Sequence, residues 1–405
     1  MSADVSERDA GTSTPIWRDW CLWALALGVL LTRILTRGEL YFADGPAHLK
    51  AIQDRTFLIQ PPGYWLFNRL AGIFSNPILA ISAFNICCSV LGVIVFYHCA
   101  RLLLNRKYVA MWAAATYAAV FYAWFSAEIH STYASQLLFP VLLLWGFLQY
   151  DRTQRSAYLY LAVVAFAAGS GFRPSDGVFM LPYVCCQLVR VYPRRRAAIA
   201  SGIFVVLCLG WLIPTVLGFA GQPWADFTGY VSNIIAMRSV FAQGINRLTL
   251  ANMLRVFVPL VFAFAPFALL PVARQHMRLD VESRKLLLWI LPGLAFFLLI
   301  YCSDAPYLDF MTAPIILFIF LVFKNANKQL LAICSSTCIA INTCFFLFFS
   351  PVVSQNLAMN VINCYAGRYS LFSLRHRVSR NLSDVVKNPE LVLEPNGPSK
   401  VPYGP

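Results

Sequence analysis

The sequence predicts an all-α, polytopic membrane protein, and three observations lead there. Of its 405 residues, 59% are hydrophobic and 12% are charged, about half the charged share of an ordinary soluble domain. Eleven apolar runs, nearly free of charge, recur along the chain, and several approach the roughly 20 residues that a bilayer core demands. In lipid such runs must be helical, because a helix satisfies its own backbone N–H and C=O groups without water.

The elements follow in order. Residues 1–16 read as a cytoplasmic tail. The first run, near 17–36, has no small-residue cleavage site after it and is read as a retained span. The stretch 37–77 interrupts the apolar pattern. Within it "ADGPAHLKAI" reads as a helix start, with Asp44 a favoured N-cap and Pro46 tolerated in the first turn. "IQPPGYWLF" ends that helix at Pro61, Pro62 and Gly63. Tyr64, Trp65 and Phe67 then suit the headgroup zone, so this first outer loop is expected to hold short interfacial helices. Ten further spans are expected near 78–100, 108–127, 133–150, 157–171, 177–192, 197–219, 253–273, 286–302, 308–323 and 330–350. The last but one is expected to break at Pro314. The spans make a single transmembrane unit, 17–350. Residues 351–405 read as an extracytoplasmic tail, partly disordered, ending in the proline-rich "NPELVLEPNGPSKVPYGP".

Charge orients the spans. The net charge is +14, from 32 basic and 18 acidic residues. In an apolar chain this points to cytoplasmic loops, not to nucleic acid. Of the 32 basic residues, 17 fall on one side of the expected topology, among them Arg101, Arg106, Lys107, Arg152 and Arg194–Arg196. The short loops of the other side are nearly free of them, and short loops are the ones that count. The N-terminus is therefore expected in the cytoplasm; the expected location is a bacterial inner (plasma) membrane, and in a eukaryote the outer face would meet the endoplasmic reticulum lumen. Glu39, Asp44, Asp54, Glu128, Asp176, Asp226, Asp304 and Asp309 all fall on the outer face, so the chemistry is expected there. The 12 cysteines show no paired CxxC set for zinc, and nearly all lie within spans.

Several outer residues carry chemistry. Asp44 reads either as a simple helix cap or as a general base or metal ligand. His48 stands four residues on, so it shares Asp44's helix face and offers an Asp/His pair for a divalent ion such as magnesium, manganese or zinc. In "GFRPSDGVFMLP" the guanidinium of Arg173, beside Asp176, either snorkels at a membrane edge or grips a phosphate in two prongs. Lys50, Arg238 and Arg247 are further phosphate-binding candidates. Glu128 and His130 share a short turn, "AEIHSTY", read as an acceptor or metal site or as a water-exposed hairpin tip. Tyr64, Asp176, Asp304 and Tyr307 are site-wall candidates. The chain has no P-loop, no GxGxxG opening a helix after a strand, no HExxH and no GxSxG elbow.

An early Asp in a long outer loop, then "PPGYWLF", then "GFRPSDGVFMLP" and "PYLDFMTAPIILFIFL", resembles the C-type membrane glycosyltransferases of the GT-C fold. The likeness covers roughly residues 20–325 and leans toward the bacterial protein O-mannosyltransferases, lipid A aminoarabinose transferases and rhizobial galacturonosyltransferases. Gly45 stands where many relatives carry a second acidic residue, and Ala305–Pro306–Tyr307 where many carry an Arg–Tyr pair. The resemblance implies a polyprenyl-phosphate sugar donor and an acceptor hydroxyl on a glycan, lipid or protein outside the membrane. It also implies inversion, with Asp44 as base and Arg173 as clamp. Two other classes compete. A lipid-linked sugar flippase would show mid-span charges and inverted repeats. An outer-face polysaccharide ligase or polymerase would show a large late outer loop, whereas here the main loop comes first.

Overall fold

A computed structural model describes residues 19–36, 44–53, 64–219, 239–273, 277, 279–302 and 305–348, with 232 and 236 singly. The two expected tails, and with them Arg238 and Asp304, lie outside the described residues. Sixteen α-helices and no strand are found among those described. They are α1 Trp20–Leu35, α2 Asp44–Gln53, α3 Trp65–Ala71, α4 Pro77–Leu104, α5 Lys107–Ala119, α6 Phe121–Ser126, α7 Ser135–Thr153 and α8 Ser156–Phe172. Then come α9 Pro174–Arg190, α10 Arg194–Phe219, α11 Val240–Gln243, α12 Arg247–Phe264, α13 Leu269–Val272, α14 Val281–Leu299, α15 Asp309–Val322 and α16 Lys328–Phe348. Over their described residues all eleven apolar runs are mainly helical, and the first loop holds two short helices, α2 and α3.

By length and composition, five stretches are long and apolar enough to cross a membrane: Pro77–Leu104, Thr132–Thr153, Arg194–Leu217, Asn252–Val272 and Lys328–Phe346. This is fewer than the eleven crossings expected, and the local chemistry explains some of the shortfall. The run at 108–127 is cut at Val120, whose backbone leaves the helix at φ −52°, ψ 120°. The cut is stabilised because Asn342 Oδ1, from α16, accepts the freed N–H of Phe121 at 3.1 Å. α14 carries Glu282, Arg284 and Lys285 in its first turns. α1, α8 and the segment Pro306–Val322 are apolar but shorter.

The expected break at Pro314 does not occur. α15 runs through it, as α7, α9, α10, α12 and α14 run through Pro140, Pro182, Pro214, Pro259 and Pro292. Neighbouring helices and side chains re-satisfy the carbonyls such prolines free. Small residues allow the closest approaches. A Cβ on Gly92 would collide with the backbone carbonyl of Leu137, so α4 and α7 meet there backbone to side.

Turns between the long helices collect at two ends. At one end, Lys107 pairs with Asp19 at 3.0 Å, and Lys324 with Asp280 at 2.8 Å. There too, Arg106 donates to the Lys324 carbonyl at 3.0 Å and Arg196 to that of Gln154 at 3.0 Å. Arg101, Arg152, Arg155 and Arg190–Arg196 lie in these same turns, making this the basic end of the bundle. The opposite end gathers the C-terminus of α1, helices α2 and α3, the α6–α7 connection, the α8–α9 turn and the N-terminus of α15. All the described candidate site residues except Arg247 lie on these elements.

Candidate active site at the far end of the bundle

Arg173 is placed by its successor. A residue before proline is pushed out of the helical region, and Pro174 opens α9. Arg173 accordingly adopts φ −144°, ψ 90° and is the single residue between α8 and α9. Gly177 lets the two helices fold back, since a Cβ there would strike the Ser170 hydroxyl. The side chain does not snorkel: it is 3% exposed. Its Nη1 donates to Thr132 Oγ1 at 3.2 Å, and its Nε stands 3.7 Å from Asp176 Oδ2. The guanidinium lies over the rings of Tyr133 at 4.2 Å and Tyr307 at 5.1 Å. Tyr64 also stands within electrostatic reach of it. A cation walled by two tyrosines and one carboxylate is strongly held, because desolvated cation–π contacts reach about 2 kcal/mol. Nε itself has no hydrogen-bond partner among the described residues.

Glu128 and His130 are not on an exposed hairpin tip. They are 2% and 4% exposed, between α6 and the 3-10 turn Thr132–Ala134. Trp124 Nε1 donates to Glu128 Oε1 at 2.6 Å, and the Thr36 hydroxyl donates to the same oxygen. Arg33 crosses beneath, 4.4 Å from the Trp124 ring, and donates to the Ala118 carbonyl at 2.7 Å. His130 Nε2 is 2.9 Å from the Ser82 hydroxyl. Asn85 Nδ2 donates to the Ile129 carbonyl at 2.5 Å, which pins the connection to α4. These contacts make Glu128 and His130 parts of a packed floor.

Asp44 is the first residue of α2 and shares that helix with His48 and Lys50. The side chains of Asp44 and Lys50 lie outside the described residues. His48 is buried, with Nδ1 2.9 Å from Asn68 Oδ1 and its ring 5.0 Å from Phe67 and 5.2 Å from Tyr64. Tyr64 turns the chain into α3 with a left-handed φ of 50°. Arg247 opens α12, exposed, and is not brought to Arg173 by any described contact. Among the described residues no three His, Cys, Asp or Glu side chains gather as a metal site. Of the α2 pair that would hold a divalent ion, Asp44 and His48, only the His48 side chain is described.

Asp176 is buried and lines, with Gln136, Phe139, Phe166, Ser170 and Met180, a cleft between α7, α8 and α9. The polar members of this end that carry no charge, Thr132, Asn85 and Gln136, give no charge signal in the sequence. Their one available signal is that polar groups inside apolar runs are costly and tend to be used. Arg33 reads as an ordinary basic residue near the end of a span.

Residues 60–217 match the family model of dolichyl-phosphate-mannose-protein mannosyltransferase. No curated protein matches the chain. The matched stretch runs from just before α3 into the last turn of α10 and contains Tyr64, Glu128, His130, Arg173 and Asp176. Asp44, His48 and Tyr307 lie outside it, so over these 158 residues the chain is similar to that mannosyltransferase family in the part that builds the Arg173 turn and the Glu128 floor.

Proposed function

We propose that the chain is a membrane glycosyltransferase that moves a sugar from a polyprenyl-phosphate donor to an acceptor hydroxyl on the extracytoplasmic face, with inversion. The observation that carries this is the buried, tyrosine-walled Arg173 inside the stretch similar to the mannosyltransferase family. By the positive-inside rule the basic end of the bundle faces the cytoplasm, which puts Arg173 outside. Arg173 Nε, turned toward Asp176, is the atom assigned to a donor phosphate oxygen.

The chemistry needs few groups. The acceptor oxygen attacks the anomeric carbon while the bond from that carbon to the phosphate oxygen breaks. The hydroxyl proton passes to the Asp44 carboxylate as general base. Polyprenyl phosphate leaves as a weak base that needs positive charge, not a proton, and Arg173 supplies it. One displacement inverts the anomeric centre. A divalent ion on Asp44 and His48 would orient the acceptor and lower its hydroxyl pKa.

Mass analysis of glycolipids and glycoproteins from a deletion strain tests this. A glycan should be lost on deletion and restored by the wild-type gene, while Asp44→Asn expressed at the same level should not restore it. An unchanged glycan profile in the deletion strain refutes the assignment.

A further inference from the structure

The run that holds α5 and α6 breaks without a breaker. The two helices part at Val120, yet "KYVAMWAAATYAAVFYAWFS" contains no proline and no glycine, and its alanine-rich composition favours an unbroken helix. Sharp kinks arise at proline, at glycine, or where a side chain enters the hydrogen-bond ladder. Here two side chains enter it, from opposite ends of the chain. Asn342 of α16, 1% exposed, accepts the Phe121 N–H on Oδ1 at 3.1 Å, while its Nδ2 donates to the carbonyls of Ala263 at 3.0 Å and Cys338 at 2.8 Å. Arg33 of α1, 2% exposed, donates from Nη2 to the Ala118 carbonyl at 2.7 Å. In an unbroken helix those two backbone groups would instead bond Tyr117 and Tyr122.

The break redirects a segment that soon reaches Arg173. α6 is six residues long and is pinned along its length: Phe121 tilts against Phe345 at 4.7 Å, the Tyr122 hydroxyl meets that of Thr312 at 3.1 Å, and Trp124 stacks on Phe346 at 4.4 Å. Its end leads through the Glu128 floor to Thr132, which accepts from Arg173 Nη1, and to Tyr133, whose ring lies against the guanidinium. Were α5 to run on through Val120, this turn would leave along the α5 axis. Arg33 and Asn342 lie outside the stretch similar to the mannosyltransferase family. Burying two polar side chains in an apolar bundle is costly, and a continuous helix would need neither at this point.

We propose that Asn342 is a positioning residue: by holding the break at Val120 open, it sets the Thr132–Tyr133 turn against Arg173 and so shapes the grip on the donor's phosphate. This rests on the transferase reading above, which assigns that phosphate to Arg173. Asn342 acts through the backbone of α6 and takes no part in bond breaking.

The purified full-length chain in nanodiscs tests it by two readouts. The first needs no ligand: modification of Arg173 by phenylglyoxal, an arginine reagent, followed by peptide mass analysis. The second is the Kd for decaprenyl phosphate. Asn342→Leu keeps the size and removes the acceptor, so the helix should heal across Val120 and Arg173 should react about tenfold faster than in the wild type. Asn342→Asp, as a carboxylic acid, keeps the acceptor and one donor and should leave Arg173 protected. Gly146→Ala, whose methyl would come within 2.8 Å of the Tyr158 carbonyl in the basic half of α7, loosens the bundle elsewhere and should also leave it protected. Where Asn342→Leu does not fold, Asn342→Ser carries the test, since its hydroxyl bonds back to its own helix, with modification about threefold faster. In the binding readout, Asn342→Leu and Thr132→Val should each weaken decaprenyl phosphate about tenfold, and the double variant little more than either. Protection of Arg173 in Asn342→Leu or its serine substitute, or equal exposure in Gly146→Ala, overturns the positioning alone. So does a double variant in which the two losses multiply. A wild type that does not bind decaprenyl phosphate overturns the transferase reading and, with it, the donor role of the break.

Discussion

Replacing Arg173 with lysine keeps the charge and removes the planar fork. The Arg173 guanidinium donates to Thr132, faces Asp176 and lies on two tyrosine rings. Lysine is a point charge that reaches one of these partners at a time and cannot lie flat on either ring. The Thr132 bond, made to a charged group, is worth about 1.5–3 kcal/mol, and flat stacking on a desolvated ring about 2 kcal/mol. If lysine keeps roughly half of this, about 2 kcal/mol is lost, close to a 30-fold effect. The loss should fall on donor kcat/KM, with acceptor KM nearly unchanged. The assay is transfer from a radiolabelled polyprenyl-phosphate sugar in nanodiscs, with donor and acceptor varied separately. Arg173→Leu adds a stability readout. It leaves Asp176 buried without its cation and should cost about 3–5 kcal/mol in mixed-micelle unfolding, most of it restored in the Arg173→Leu/Asp176→Leu double variant. Equal donor kinetics for lysine, glutamine and wild type would refute the clamp and reduce Arg173 to a structural post.

Three further outcomes follow. Asp44→Asn keeps the capping ability of the residue, since Asn caps about as well as Asp, so expression should be normal while transfer falls roughly 100-fold or more; a normally active Asn variant removes Asp44 from the chemistry, and a wild type insensitive to chelator assigns it as base instead of metal ligand. A cysteine placed at Gln53, exposed at the end of α2, should react with an impermeant thiol reagent in cells whose outer membrane alone is permeable, and labelling only after the inner membrane is opened would reverse the topology. Gly92→Ala should cost about 1–3 kcal/mol in unfolding, because its methyl meets the Leu137 carbonyl and a backbone cannot yield as a side chain does.

Hydropathy made the helices legible, because an apolar run in lipid has one way to satisfy its backbone. It did not reveal the cut at Val120, which depends on Asn342 reaching across from α16, 221 residues further along the chain. Arg173 stood out as a cation between two spans, and Pro174 after it accounts for its backbone. Its inward aim was not legible, since Thr132, Tyr133 and Tyr307 come from distant positions. Glu128 and His130 were found by charge, but their burial under Trp124 and Ser82 is a tertiary fact. Ser126 and Gln136 carry no charge and so left no mark in a reading led by ionisable groups. Asp309 did, but only the fold shows that its side chain is fully buried at the start of α15.

The one-residue reversal at Arg173 also sets a depth. α8 and α9 are 17 residues each, so each is about 25 Å long at 1.5 Å per residue. A hydrocarbon core is about 30 Å thick, and α4 beside them, at 28 residues, rises about 42 Å. Phe172, at the tip end of α8, stacks on Phe84 at 5.0 Å, the eighth residue of α4, so α4 extends about 10 Å beyond the level of the tip. On the proposed donor reading, a carrier headgroup that meets Arg173 would have to sink by several ångströms or draw the leaflet down with it, at a fraction of a kcal/mol per ångström of mismatch. Bilayer thickness then becomes a control on turnover: with the same donor and acceptor, short-chain lipids should favour the reaction and long-chain lipids should slow it.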